Sequence, residues 1–115
     1  MKIYTGIDLV HIPSLKRTLK RSGQVYLERI FLPEELIRTD PEHLAGIIAT
    51  KEAVFKALSD QESLTWKQIR VVAPLNQKPQ VSILLPLRNI SLINLDVSIS
   101  HEGDYAIAVA VALGN

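Results

Sequence analysis

Residues 44–58 read as a helix that is apolar or small at almost every position except Lys51, Glu52 and Lys56. A segment of this composition is expected to be buried, and charges carried into a core require partners. At 100° per residue, Leu44, Ile47, Ile48, Val54, Phe55 and Leu58 form one broad apolar stripe, while Ala45, Ala49 and Ala53 line an adjacent face with little bulk. Glu52 and Lys56 project from that alanine side. They stand one turn apart, with the carboxylate nearer the N-terminus, the favourable order for a pair. Small neighbours let another backbone or a ligand come close, so these two charges are candidates to meet phosphate or a metal ion. Lys51 falls near the middle of the apolar stripe and is expected either to snorkel past Phe55 or to bind an anion.

The flanking elements give this helix something to lie on. Asp40-Pro41-Glu42 is a helix start, a capping side chain followed by proline in the first turn. Residues 2–10 alternate as a strand, with Ile3, Ile7 and Leu9 on one face and Tyr4, Gly6 and Asp8 on the other. A helix opening at Pro13, with Leu15 and Leu19 inward, stops at Ser22-Gly23; a short helix over 25–30 and a helical start at Pro33 follow. Residues 69–73 and 81–85 read as a hairpin around the turn-rich 74–79, and a second hairpin joins 95–100 to a strand beginning at Tyr105. In that last strand Ile107, Val109, Val111 and Leu113 share one face and Ala106, Ala108, Ala110 and Ala112 the other. Both faces are open to burial, and an alanine strand face suits an alanine helix face. The expected fold is α+β, an antiparallel sheet with a long helix packed across it.

A chain of 115 residues with short connections reads as one domain, 1–115. A formal charge of +1 offers no global attraction to nucleic acid or to an anionic membrane surface. Local charge is less even: Lys16, Arg17, Lys20 and Arg21 cluster on the first helix, either as a solvated face or as a surface for an acidic partner. The absence of cysteine excludes disulfides, thiolate metal sites and a cysteine nucleophile. No signal-peptide pattern or membrane-spanning apolar run occurs, and a cytoplasmic protein is the expectation.

Asp8 and Glu52 are the first pair with chemical potential, because two carboxylates completed by phosphate oxygens and water suit Mg²⁺. Ser98-Ile99-Ser100-His101 puts hydroxyls on the polar face of a strand and an imidazole at its exit. A hydrolase triad fits poorly: no glycine-flanked serine elbow occurs, and Ser100 directly adjoins His101. His11, His43 and His101 lack the paired spacing of a zinc site, and neither glycine-rich nucleotide fingerprint is present.

Gly6-Ile7-Asp8-Leu9-Val10, then Ala49-Thr50-Lys51-Glu52-Ala53 with Lys56-Ala57, then Ser98-Ile99-Ser100-His101 with Tyr105-Ala106 resemble, in order, the three signatures of the acyl carrier protein synthase type of 4'-phosphopantetheinyl transferase. Arg21-Ser22-Gly23, Glu28-Arg29-Ile30 and Lys78-Pro79 extend the resemblance over nearly the whole chain. It implies a transferase that moves the phosphopantetheine arm of coenzyme A to a serine of apo acyl carrier protein and releases 3',5'-ADP, as in fatty acid biosynthesis. It further implies Mg²⁺ on Asp8 and Glu52, Lys56 at a phosphate, and coenzyme A contacts from Lys78, Pro79, Ser100 and His101. A homotrimer with its site between subunits and a carrier surface at Lys16, Arg17, Lys20 and Arg21 belong to the same implication. The chain departs from the pattern at His11 (usually glutamate), Ser14 and Ile47 (usually arginine), Ser59-Asp60-Gln61 (usually Gly-Thr-Gly) and Gln77 (usually glycine). These departures motivate an alternative, a catalytically weak or inactive relative that still binds carrier protein or coenzyme A. A trimeric scaffold without ligand is a third reading, and it leaves Glu52 and Lys56 without a role.

Overall fold

The computed structural model describes residues 1–115. Strand β1 (Lys2–His11) leads into helix α1 (Ile12–Ile30), a 3-10 turn at Pro33–Leu36 and helix α2 (Pro41–Leu58); a second turn, Trp66–Gln68, precedes β2 (Ile69–Val72), β3 (Gln80–Ile83), β4 (Leu92–Glu102) and β5 (Tyr105–Gly114). β1, β5 and β4 form an antiparallel sheet in that order, and β2 pairs with β3 in a separate antiparallel ribbon. The expected α+β arrangement and both hairpins are present. The two helical pieces expected on either side of Ser22-Gly23 are both present within α1, meeting at a break at Gly23 where the backbone is non-helical and φ is +40°, a conformation glycine adopts without penalty.

The helix–sheet contact is made of small residues. Ala106, Ala108, Ala110 and Ala112 of β5 are buried, as are Ala45, Ala49, Ala53 and Ala57 of α2. Gly6 of β1 lies so close to α2 that a Cβ there would overlap the Ala53 carbonyl. The core face of β1 is therefore Tyr4, Gly6 and Asp8, not the apolar set. Ile3, Ile7 and Leu9 point outward at 65%, 56% and 58% exposure, beside Ile107, Val109 and Val111 of β5. Because the strand's side-chain period is two, the glycine that must touch the helix dictates where every neighbour goes.

Lys51 neither snorkels nor waits for an external anion. Its side chain is fully buried and its ammonium donates to Glu35 Oε1 (2.8 Å), the Ile30 carbonyl (2.9 Å) and the Trp66 carbonyl (2.9 Å), which uses all three of its protons. Glu35, equally buried, also accepts the backbone N–H groups of Leu32 (2.7 Å) and Val71 (2.7 Å). Burial pushes the Lys51 ammonium below its usual pKa, and Glu35 opposes that shift. One ion pair thus ties α2 to the end of α1, the 3-10 turn and β2. Removing one partner strands a buried charge, so Glu35→Gln should lower unfolding free energy by about 3–5 kcal/mol in urea titrations.

Candidate active site

The close approach at Gly6 brings Asp8, two residues further along the same face of β1, against the alanine side of α2. There Lys56 Nζ donates to Asp8 Oδ1 (3.1 Å) and to the Ile7 carbonyl (2.9 Å). Lys56 therefore pairs across to β1 and not with Glu52 on its own helix, as the one-turn spacing had implied. The Asp8 side chain is mostly buried, while that of Lys56 is about half exposed.

Glu52 belongs to the same group. Burial, then the nearby Asp8 charge, raises its carboxyl pKa, and Lys56 only partly offsets them. Two carboxylates that repel each other beside a single lysine form a half-built cation site. Their oxygens suit a hard divalent ion that takes its remaining ligands from water or substrate. Tyr26 of α1 borders the group: burial first, and then the Glu52 charge, raises its phenol pKa. Nothing in the sequence pattern distinguished that tyrosine from a core aromatic.

The other predicted contacts lie elsewhere. His101, near the end of β4, packs over Gly46 near the start of α2. Its Nε2 donates to the Glu42 carbonyl (3.1 Å) and its Nδ1 sits 3.8 Å from the Glu42 carboxylate. Pro79 and His101 border one cleft of ≈ 300 Å³ with Arg38 and His43, two residues that motif reading did not single out. Both flank the Asp40-Pro41 helix start, which was the available signal. Lys78 is outside the walls of that cleft and pairs with Asp96 at 2.8 Å, holding the Asp96 carboxyl below its usual pKa. Ser100 occupies the outer face of the sheet opposite Ile107, so it and His101 point to different sides.

Asp8 and His101 stand on the two edge strands with β5 between them. Along α2, Glu42 and Lys56 are separated by fourteen residues, roughly 20 Å at the helical rise. One chain thus carries two separate polar clusters. Lys16, Arg17, Lys20 and Arg21 are all exposed on α1, and Arg17 reaches back to donate to Ser14 Oγ (3.0 Å).

Known proteins resemble this chain over nearly its whole length. A family profile described as the 4'-phosphopantetheinyl transferase superfamily matches residues 4–110. A holo-[acyl-carrier-protein] synthase of Protochlamydia amoebophila is 37% identical over 119 residues, covering 96% of this chain and 98% of that protein. One of Dehalococcoides mccartyi is 34% identical over 116 residues, with the same coverage. Among solved structures, the Helicobacter pylori synthase in complex with coenzyme A superposes with a TM-score of 0.81 at 29% identity, covering 95% of this chain and 99% of that one. The Chronobacterium ammoniagenes synthase–coenzyme A complex gives 0.80 at 29% identity over 100% and 99%. The chain therefore belongs to the 4'-phosphopantetheinyl transferase superfamily, in its holo-acyl-carrier-protein synthase branch, and is a transferase.

Proposed function

We propose that this chain, as one domain spanning 1–115, transfers 4'-phosphopantetheine from coenzyme A to a serine of an apo acyl carrier protein and releases 3',5'-ADP. The observation that carries the reading is the convergence of Asp8, Glu52 and Lys56 on the small-residue side of α2. The unsatisfied repulsion between the two carboxylates and their all-oxygen donor set fit Mg²⁺, with Asp8 and Glu52 as its holders. Bound there, Mg²⁺ supplies charge neutralisation on the diphosphate. In the transfer, the serine oxygen bonds to the β-phosphorus, the bond to the bridging oxygen breaks, and its electron pair leaves on 3',5'-ADP. Lys56 holds a positive charge beside the diphosphate oxygen that becomes more negative. The serine proton passes to a carboxylate of this group or to water.

Coenzyme A also explains the separation of half-sites. Its 3'-phosphate and its diphosphate hang on the same ribose, too close together to reach from Glu42 to Lys56 on one helix. Two copies of the chain resolve this, one offering Asp8, Glu52 and Lys56 and the other Pro79 and His101. The outward apolar residues of β1 and β5 provide a surface for such contact, supporting the homotrimer. Lys78 and Ser100 join the coenzyme A contacts only if the assembled site brings them in. No helix is long and apolar enough to cross a membrane, and the cytoplasm is the proposed place of action.

Incubation with apo carrier protein, coenzyme A and Mg²⁺ should add one phosphopantetheine to the carrier by intact mass. No gain on any of several carriers would reject the transferase reading in favour of a weak or inactive relative. Glu52→Gln should lower the rate at least about a hundredfold. In EDTA at neutral pH the same variant should unfold at higher urea than the parent. A raised folded pKa favours the protonated carboxyl, so the parent's deficit is present above the folded pKa and disappears below the unfolded value, about 4.3.

Arg17→Glu should raise the KM for the carrier roughly tenfold at low salt with little change in kcat, an effect that shrinks as salt screens the surface. Val109→Asp should convert the sedimenting trimer to monomer and abolish transfer; a monomeric parent with full activity would contradict the shared site.

A further inference from the structure

Helix α2 carries two lysines paired with carboxylates, and it holds them differently. Lys51 is fully buried and spends all three ammonium protons on Glu35 and two backbone carbonyls. Lys56, near the C-terminal end of the same helix, is about half exposed and makes only two bonds, to Asp8 Oδ1 (3.1 Å) and to the Ile7 carbonyl (2.9 Å). Its third proton has no acceptor within the chain. An ion pair with one half-exposed partner is held weakly, whereas breaking a fully buried one strands a charge. Lys56 can therefore leave Asp8 at small cost, and Lys51 cannot leave Glu35.

At Asp8 the Lys56 ammonium stands where a metal ion would. Burial and then the Asp8 charge make ionised Glu52 costly, and Lys56 is the group that opposes this. In the free chain one ammonium thus serves as counter-ion to two carboxylates. Asp8 Oδ1 is taken, and the Asp8 side chain is mostly buried. A dication arriving alone must share that carboxylate with a positive charge, in surroundings where salt and water screen the repulsion poorly. A diphosphate changes the balance. Its oxygens offer Lys56 a charge-assisted partner at least as good as Asp8. As the ammonium turns to them, Asp8 Oδ1 is freed and the repulsion goes with it.

We propose that Lys56 is a releasable counter-ion of Asp8, so that the chain binds a divalent cation weakly by itself and tightly together with a diphosphate. This rests on Asp8 and Glu52 holding the metal and on coenzyme A supplying the diphosphate. Such coupling is reciprocal: the metal tightens coenzyme A by the factor by which coenzyme A tightens the metal. Phosphate oxygens that ligate the metal add coupling of their own, so the measurement that isolates Lys56 is the affinity for the cation alone.

Mn²⁺ is a suitable probe, a dication that takes carboxylate ligands and whose free form is counted by electron paramagnetic resonance. It is titrated into the parent, Glu52→Gln, Lys56→Met and Lys56→Arg, with and without saturating coenzyme A. The parent should bind Mn²⁺ at least about fivefold more tightly with coenzyme A than without. Lys56→Met should bind Mn²⁺ alone about fivefold or more tightly than the parent does and gain less from coenzyme A. Lys56→Arg keeps the charge and should stay close to the parent. Lys56→Gln repeats the neutral substitution with a polar tip, so that a folding defect in one variant does not decide the outcome. Neutral variants that bind Mn²⁺ alone no more tightly than the parent, or a parent indifferent to coenzyme A, would overturn the proposal while leaving the metal assignment in place. Mn²⁺ binding that is unchanged in Glu52→Gln would overturn that assignment and this proposal with it.

Discussion

The approach of β1 to α2 through Gly6 is the constraint on which the rest of the molecule depends. A glycine facing the Ala53 carbonyl and a strand of alanines beneath the same helix put backbone against backbone. At that separation Asp8, forty-eight positions from Lys56, needs no long side chain to reach it. The same contact sets the sheet's polarity. Small residues claim the inner face, so the bulky ones alternate outward, and the surface left uncovered by α2 becomes apolar. Functional group placement and a sticky outer face follow from one packing decision.

Lys51 and Glu52 are adjacent in sequence, and the helix sends them to opposite tasks. Lys51 turns inward to Glu35 and two carbonyls, fixing α2 against α1 and β2. Glu52 turns toward Asp8, where burial and like charge make its ionised form costly. The satisfied pair allows the unsatisfied one: a helix held in place by three charge-assisted hydrogen bonds cannot rotate to relieve the carboxylates. Repulsion between Asp8 and Glu52 is thus retained in the folded chain, ready to be relieved by a cation.

Much of this was legible in the sequence, because α2 and β5 carry their periodicities openly and Asp40-Pro41 marks its helix start without ambiguity. Two errors came from side-chain rules that ignore tertiary distance. The Glu52–Lys56 spacing suggested a local pair, yet a backbone carbonyl and a carboxylate on β1 together offer Lys56 more than one helical neighbour does. The mid-stripe angle of Lys51 was correct, but its partner Glu35 lies on a short 3-10 turn with no periodic signature. Arg38 and His43 escaped for a similar reason, since a cleft built from a loop, a helix start and a strand end has no spacing to read.

The two polar clusters also differ in how they hold charge. At Asp8 and Glu52 the chain accumulates negative charge on rigid elements, which suits a small ion and a transfer step intolerant of misplacement. At the start of α2 it places one fixed cation and two imidazoles beside a loop, where Asp40 restrains the guanidinium without neutralising its free nitrogen.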